Sequence, residues 1–124
     1  MSDARRWIFD EINKERIRQD KKHGGTRENG DLPDVDPVLM NIEGGCSPER
    51  MAENYGVPPA WRARSACDGA VSVKQGTWAH ILVEEVAEVV EAAVICSMAE
   101  LRRELIQVAA VCVAQIEAID RRMG

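Results

Sequence analysis

The feature that most constrains this chain is the segment 81–91, in which four glutamates interrupt an otherwise apolar run. On a helix, at about 100° per residue, Glu84, Glu88 and Glu91 lie within about 60° of one another, with Glu85 on the flank. Like charges at this spacing destabilise a helix by roughly 0.2–0.5 kcal/mol per pair, and no Lys or Arg lies in the segment to offset them. The segment is therefore either a solvated acidic face or part of a site that needs its charge.

The composition favours packed helices. The chain has 124 residues, of which 4% are aromatic, so a core must be built from Val, Ile, Leu, Ala and Met. The formal net charge of −5 argues against nucleic acid as the main partner, because that binding needs clustered Lys and Arg. We predict an all-α fold in a single domain over residues 1–124.

The cysteines and the hydropathy pattern address compartment and metal type. The four cysteines form no CxxC pattern and have no neighbouring His, so they do not indicate zinc. No apolar run reaches the roughly 20 residues that cross a membrane, and no apolar signal-peptide segment precedes the first helix. We expect a reduced, soluble, cytoplasmic protein with no membrane partner.

Capping residues and turn signals divide the chain into helices and one long loop. Ser2 or Asp3 begins the first helix, Ser47-Pro48 begins a short one, and Thr77 begins the central one, while Ser97 with Glu100 forms a capping box before the last. Residues 24–45 are predicted to form the loop, whose length is usual either for lids and substrate walls or for disordered segments. The predicted helices are residues 3 to about 22, about 48–55, Pro59 to about Cys67 before a turn at Asp68-Gly69, Thr77 to about Val94 or Cys96, and Ser97 to about Arg122.

The last helix contains the second polar feature of the chain. It is apolar nearly all round from Leu105 to Ala114, which predicts burial by neighbours in the chain or in a partner subunit, and we expect an oligomer. Glu104 and Gln107 nevertheless lie in it, three residues apart. The short connection makes the last two helices antiparallel neighbours, so these residues can face residues 84–88. Carboxylates converging from two helices can hold a hard divalent cation such as Mg²⁺ or Mn²⁺.

These residues resemble a known signature. The pattern Glu84-Glu85-x-x-Glu88, followed after fifteen residues by Glu104-x-x-Gln107, resembles the EExxE…ExxD motif of the MazG-like all-α nucleoside triphosphate pyrophosphohydrolases. The flanking stretches at 77–82 and 101–111 are similar to small phage-type and actinobacterial members of that family. The likeness covers residues 77–120 well and the rest of the chain loosely.

The resemblance implies a fold, a reaction and a set of ligands. It implies a MazG-like helical bundle completed by oligomerisation, which hydrolyses a nucleoside triphosphate to the monophosphate and pyrophosphate with Mg²⁺ (or Mn²⁺). By matching positions, Glu85, Glu88 and Glu104 are metal ligands, and Glu84 is a ligand or the group that orients the attacking water. Glu84 or Glu85 could accept the proton of that water. The chain departs from the motif at Gln107, which offers a neutral carbonyl oxygen where the family has a carboxylate.

Substrate contacts follow from the charge and shape of a nucleotide. Basic side chains would meet the phosphates and flat side chains the base, although each of these residues is also compatible with a purely structural role. The phosphate candidates are Lys21, Lys22, Arg102 and Arg103, with Lys74 also available, and the base candidates are Trp78 and His80, with Trp61 and the loop 24–45. The phage-type resemblance suggests purine deoxynucleotides, including the dGTP-directed branch sometimes called MazZ.

Two other functions remain open from the sequence. In the first, the chain is a non-catalytic helical module that binds nucleotide or protein, and Gln107 marks the loss of activity. In the second, the acids form a ferritin-like iron site. That class uses Glu-x-x-His pairs, whereas His23 and His80 are the only histidines and neither follows a Glu by three.

Overall fold

The computed structural model describes residues 1–22, 32–95 and 97–124. In these ranges the chain forms six helices and no strand, which confirms the all-α prediction. None of these helices combines the length and the apolar character needed to cross a membrane. The helices are α1 (Asp3–Lys22), α2 (Pro37–Met40), α3 (Pro48–Asn54), α4 (Ala60–Ser72), α5 (Trp78–Ile95) and α6 (Met98–Met123).

The chain divides into two compact units. One comprises Met1–Pro33 and Val113–Gly124, and the other comprises Asp34–Cys112. The helix α6 runs through the boundary between the two units. The single domain expected over residues 1–124 stays a prediction. The glutamates of the acidic segment and Glu104 all belong to the second unit.

The first unit contains α1 and the end of α6. Ser2 begins α1, since its hydroxyl accepts a hydrogen bond from the Arg5 amide at 3.2 Å. Ile8 is the one buried residue of α1, whereas Trp7 is 73% exposed. Phe9, Ile12 and Ile17 of α1 are also exposed.

Small side chains hold α5 against its neighbours in the second unit. Ala60 and Ala63 of α4 form a buried cluster with Ala87 of α5, and Val57 packs against it. Alanines let two helices approach closely because no longer side chain separates them. Met51 of α3 is completely buried. This packing fixes α5 and so determines where its glutamates lie.

The end of α4 corrects one sequence prediction. A turn was expected at Asp68-Gly69, but α4 continues to Ser72. The face of α4 that packs on α5 outweighs the local turn preference of Asp-Gly, because Gly within a helix costs only about 1 kcal/mol relative to Ala. The helix ends at Ser72. Lys74, two residues later, has a left-handed φ of 60°, and the Gln75 amide donates to the Ala70 carbonyl at 2.8 Å.

The caps confirm most of the other predicted boundaries. The hydroxyl of Ser47 accepts from the Arg50 amide at 3.1 Å, that of Thr77 from the His80 amide at 3.1 Å, and that of Ser97 from the Glu100 amide at 3.3 Å. The helix α2 was not predicted. It lies within the expected long loop, and Asp36 caps it. The part of that loop at 24–31, and the predicted end at Cys96, fall outside the described residues.

Gly69 and Gly56 provide a paired test of the helix boundaries. Gly69 is helical with open space where a Cβ would lie, so Gly69→Ala should stabilise the protein by about 0.5–1 kcal/mol. Gly56 has a φ of +70°, so Gly56→Ala should destabilise it by a similar amount, about 1 kcal/mol. Urea denaturation of both variants measures the two signs. A loss of stability in Gly69→Ala would restore the turn interpretation of Asp68-Gly69.

Candidate metal centre

Three carboxylates meet where α5 and α6 face each other. One oxygen from each of Glu85, Glu88 and Glu104 lies within 4.8 Å of the other two. Glu85 and Glu88 are neighbours three residues apart on α5, and Glu104 comes from the second turn of α6. The structure thus brings together three of the four residues predicted as metal ligands.

Two oxygens of this cluster are left without partners. Oε2 of Glu85 and Oε2 of Glu104 are buried and receive no hydrogen bond from residues 1–22, 32–95 or 97–124. A buried polar atom without a partner costs about 1–3 kcal/mol, and more where the group is charged. In a solvated acidic face these oxygens would contact water. Their burial does not fit the interpretation of segment 81–91 as a solvated acidic face.

The same environment changes the acidity of the cluster. Burial raises the pKa of Glu85, and the nearby charges of Glu88, Glu104 and Glu84 raise it further. Burial likewise raises the pKa of Glu104, followed by the charge of Glu88 and a hydrogen bond with it. Loss of the protons is therefore unfavourable in the folded chain until a positive charge enters the cluster.

The donor set fits a hard divalent cation. Oxygens bound to Mg²⁺ at about 2.1 Å lie roughly 3–4 Å apart, so atoms within 4.8 Å need only small side-chain rotations. Among the described residues, the cluster consists of carboxylates alone, and such oxygen sets favour Mg²⁺ or Mn²⁺ over zinc. Glu85, Glu88 and Glu104 could therefore hold one such ion.

An arginine that the sequence interpretation missed contacts the cluster. Nη2 of Arg64, on α4, lies 3.2 Å from Oε1 of Glu88. The hydrogen bond with Glu88 raises the pKa of Arg64, and the charges of Glu88, Glu91 and Glu84 act in the same direction. The sequence does place Arg64 on a helix, but only the packing of α4 on α5 shows which face of α5 it meets.

Glu84 faces α4 as well and is not one of the three clustered carboxylates. Burial raises the pKa of the Cys67 thiol, and a hydrogen bond with Glu84 raises it further. Cys67 is consequently a neutral, buried group beside Glu84. The role of Glu84 toward water stays a prediction.

Gln107 differs from the other predicted ligands. It lies one turn beyond Glu104 on α6 and its side chain is exposed. Its neighbours Leu105 and Ile106 are 50% and 54% exposed, so the part of the chain that the structure describes does not enclose this stretch of α6. Burial by a partner subunit, and ligation by Gln107, both stay predictions.

Two of the predicted base-binding residues, Trp78 and His80, lie on the first turn of α5. Nδ1 of His80 lies 2.8 Å from the Thr77 hydroxyl and 3.2 Å from its amide nitrogen, so His80 belongs to the helix cap and does not pair with Glu84 through this atom. Its ring lines an apolar pocket of about 200 Å³ together with Ala63. Trp78 is half-buried, two turns before the cluster.

The predicted phosphate-binding residues are divided between the two units. Arg103 pairs with Glu100 at 2.6 Å, and Arg102 is exposed beside it on α6. Lys21 and Lys22 end α1, which belongs to the other unit, and their role stays a prediction.

A second, literal copy of the ExxD pattern has a structural explanation. Glu117, in the sequence Glu117-Ala118-Ile119-Asp120, accepts a hydrogen bond from Nε of Arg5 at 3.2 Å. This pair lies in the first unit, whereas the cluster lies in the second. Glu117 is therefore a useful control for the candidate ligands.

Comparison with known proteins identifies no relative. No family model, no curated protein and no solved structure matches the chain. The MazG-like resemblance therefore depends on the residues quoted above, and the interpretation of the site depends on its geometry.

The raised pKa of Glu85 predicts how the metal-free protein responds to pH. Because the folded state holds the proton more tightly, this group stabilises the fold below its ordinary pKa, and the benefit disappears as pH rises through the raised value. In a chelator, Glu85→Gln should therefore be more stable than the parent at neutral pH, by about 1 kcal/mol, and the difference should shrink at acidic pH. Urea denaturation at a series of pH values measures it. The exposed Glu53, as Glu53→Gln, is the control, and a parent more stable than Glu85→Gln at neutral pH would contradict the prediction.

Proposed function

We propose that this protein is a metal-dependent nucleoside triphosphate pyrophosphohydrolase of the MazG-like type, which converts a (d)NTP and water to the (d)NMP and pyrophosphate. The observation that supports this most is the cluster of Glu85, Glu88 and Glu104, with its two buried oxygens that have no partner. Such an arrangement is unfavourable without a cation and favourable with one. The resemblance of the surrounding sequence to the EExxE…ExxD motif supplies the reaction.

The metal would be held by the three clustered carboxylates. Glu85 and Glu88 approach it from α5 and Glu104 from α6, and the Gln107 amide oxygen is the candidate fourth ligand. When bound, Mg²⁺ or Mn²⁺ neutralises phosphate oxygens and lowers the pKa of a bound water.

The residues beside the cluster would handle the water and its proton. Glu84 lies next to Glu85 in the chain and close to the buried Cys67 thiol of α4, whose pKa it raises. Glu84 orients the attacking water and accepts its proton, with Glu85 as the alternative acceptor. The water attacks the α-phosphorus in line and pyrophosphate leaves.

The substrate and the assembly are the finer parts of the proposal. We infer a purine deoxynucleoside triphosphate such as dGTP, on the phage-type resemblance. Leu105 and Ile106, half-exposed on α6, would be buried in a homodimer or homotetramer. The candidate substrate contacts are Trp78 and His80 for the base and Lys21, Lys22, Arg102 and Arg103 for the phosphates.

The alternative is a non-catalytic helical module that binds nucleotide or protein. Two observations favour it: the neutral, exposed Gln107 at the position of a family carboxylate, and the ion pair between Arg64 and Glu88. Such a module would show no turnover with any nucleotide.

A screen of the common dNTPs and NTPs for pyrophosphate release tests the proposal. With Mg²⁺ or Mn²⁺ the parent protein should release pyrophosphate, and Glu85→Gln, Glu88→Gln and Glu104→Gln should each lower kcat by about 100-fold or more, since each removes a charge that holds the ion. Circular dichroism should show that the variants remain folded.

Glu117→Gln is the matched control for this experiment. It removes a carboxylate of an ExxD pattern on the same helix but outside the cluster, so its activity should equal that of the parent. Full turnover in the three cluster variants would exclude these ligands. The absence of turnover by the parent with every nucleotide would favour the non-catalytic module.

A further inference from the structure

Arg64 lies where the acidic face of α5 meets α4. Its guanidinium contacts Glu88 at 3.2 Å, and the charges of Glu84 and Glu91 act on it as well. Within the described ranges, it is the one Lys or Arg that forms an ion pair with a carboxylate of the cluster. Arg64 is therefore the positive charge that partly balances this face in the metal-free chain.

Glu88 is shared between two cation-binding arrangements. One of its oxygens belongs to the cluster with Glu85 and Glu104, and Oε1 accepts the hydrogen bond of Arg64. A divalent ion placed in the cluster would repel the guanidinium and draw the charge of Glu88 toward itself. Arg64 and a metal ion therefore compete for Glu88.

When the contact with Glu88 weakens, Arg64 can bind another ligand only if its guanidinium is exposed. The Arg64 side chain is 49% exposed, whereas that of Glu88 is 22% exposed, so the guanidinium is open to an incoming ligand. A guanidinium presents a planar fork of N–H donors that matches phosphate oxygens. A polyphosphate bound at the cluster would bring its oxygens to the side that Arg64 occupies, and one divalent ion cannot neutralise a triphosphate.

We propose that Arg64 is a polyphosphate-binding residue that pairs with Glu88 in the metal-free protein and transfers to the phosphates when the cation binds. The inference rests on the proposed function. It adds a residue that the sequence motif does not include. A half-exposed ion pair contributes little to the free energy of folding, so stability alone does not explain the pairing of Arg64 with Glu88.

Two binding measurements without turnover test this role. Calorimetric titration of Mn²⁺ into the metal-free protein measures the competition, and titration of inorganic triphosphate at saturating Mn²⁺ measures the phosphate contact. Arg64→Gln should bind Mn²⁺ about two- to fivefold more tightly, because the competing partner is gone. It should bind triphosphate about tenfold more weakly, because a charged hydrogen bond is lost.

Two further variants separate this role from a structural one. Arg62→Gln removes a neighbouring arginine of α4 that forms no ion pair with the cluster in the structure, and it should change neither affinity. Arg64→Lys keeps the charge and should recover part of the triphosphate affinity. Unchanged triphosphate binding in Arg64→Gln would show that Arg64 is only a counter-ion, and Mn²⁺ binding that is unchanged or weaker would exclude the competition.

Mn²⁺ binding by the parent protein distinguishes a failure of the Arg64 proposal from a failure of the proposed metal centre. If the parent binds no Mn²⁺, the metal centre is wrong and the role of Arg64 is overturned with it. If the parent binds Mn²⁺ and Arg64→Gln leaves triphosphate affinity intact, the metal centre stands and only the role of Arg64 is overturned.

Discussion

Repulsion among the carboxylates between α5 and α6 is the constraint that the second unit has to accommodate. Glu85, Glu88 and Glu104 each place an oxygen within 4.8 Å of the other two, and two of their oxygens are buried without a hydrogen bond from any described residue. The contact of Ala63 with Ala87 and the burial of Met51 pack α5 on α4 and α3, and this packing fixes the positions of Glu85 and Glu88.

Two kinds of positive charge can relieve the repulsion, and they differ in chemistry. Arg64 reaches Glu88 from α4 and is half-exposed, so it offsets part of the charge and can leave. A divalent ion would satisfy the buried oxygens of Glu85 and Glu104, which Arg64 does not contact. The buried oxygens of Glu85 and Glu104 therefore suit a metal ion, and the exposed Arg64 suits the phosphate partner that we propose.

The sequence predicts those parts of the structure that depend on local interactions. The caps at Ser47, Thr77 and Ser97 were predicted because a side-chain oxygen and an amide three residues later form them alone. The extension of α4 through Gly69 was missed because packing on another helix decides it. Arg64 was missed for the same reason, since its partner is distant in the chain. The meeting of Glu85, Glu88 and Glu104 was predicted because a short connection makes α5 and α6 neighbours, whereas the roles of Lys21 and Lys22 depend on contacts that no local pattern specifies.

The most direct test of the metal centre is a crystal structure grown with Mn²⁺ and examined by its anomalous scattering. We expect one strong anomalous peak about 2.0–2.2 Å from oxygens of Glu85, Glu88 and Glu104, with Arg64 moved away from Glu88. A map with no peak among these three carboxylates, at a Mn²⁺ concentration that yields peaks elsewhere, would contradict it.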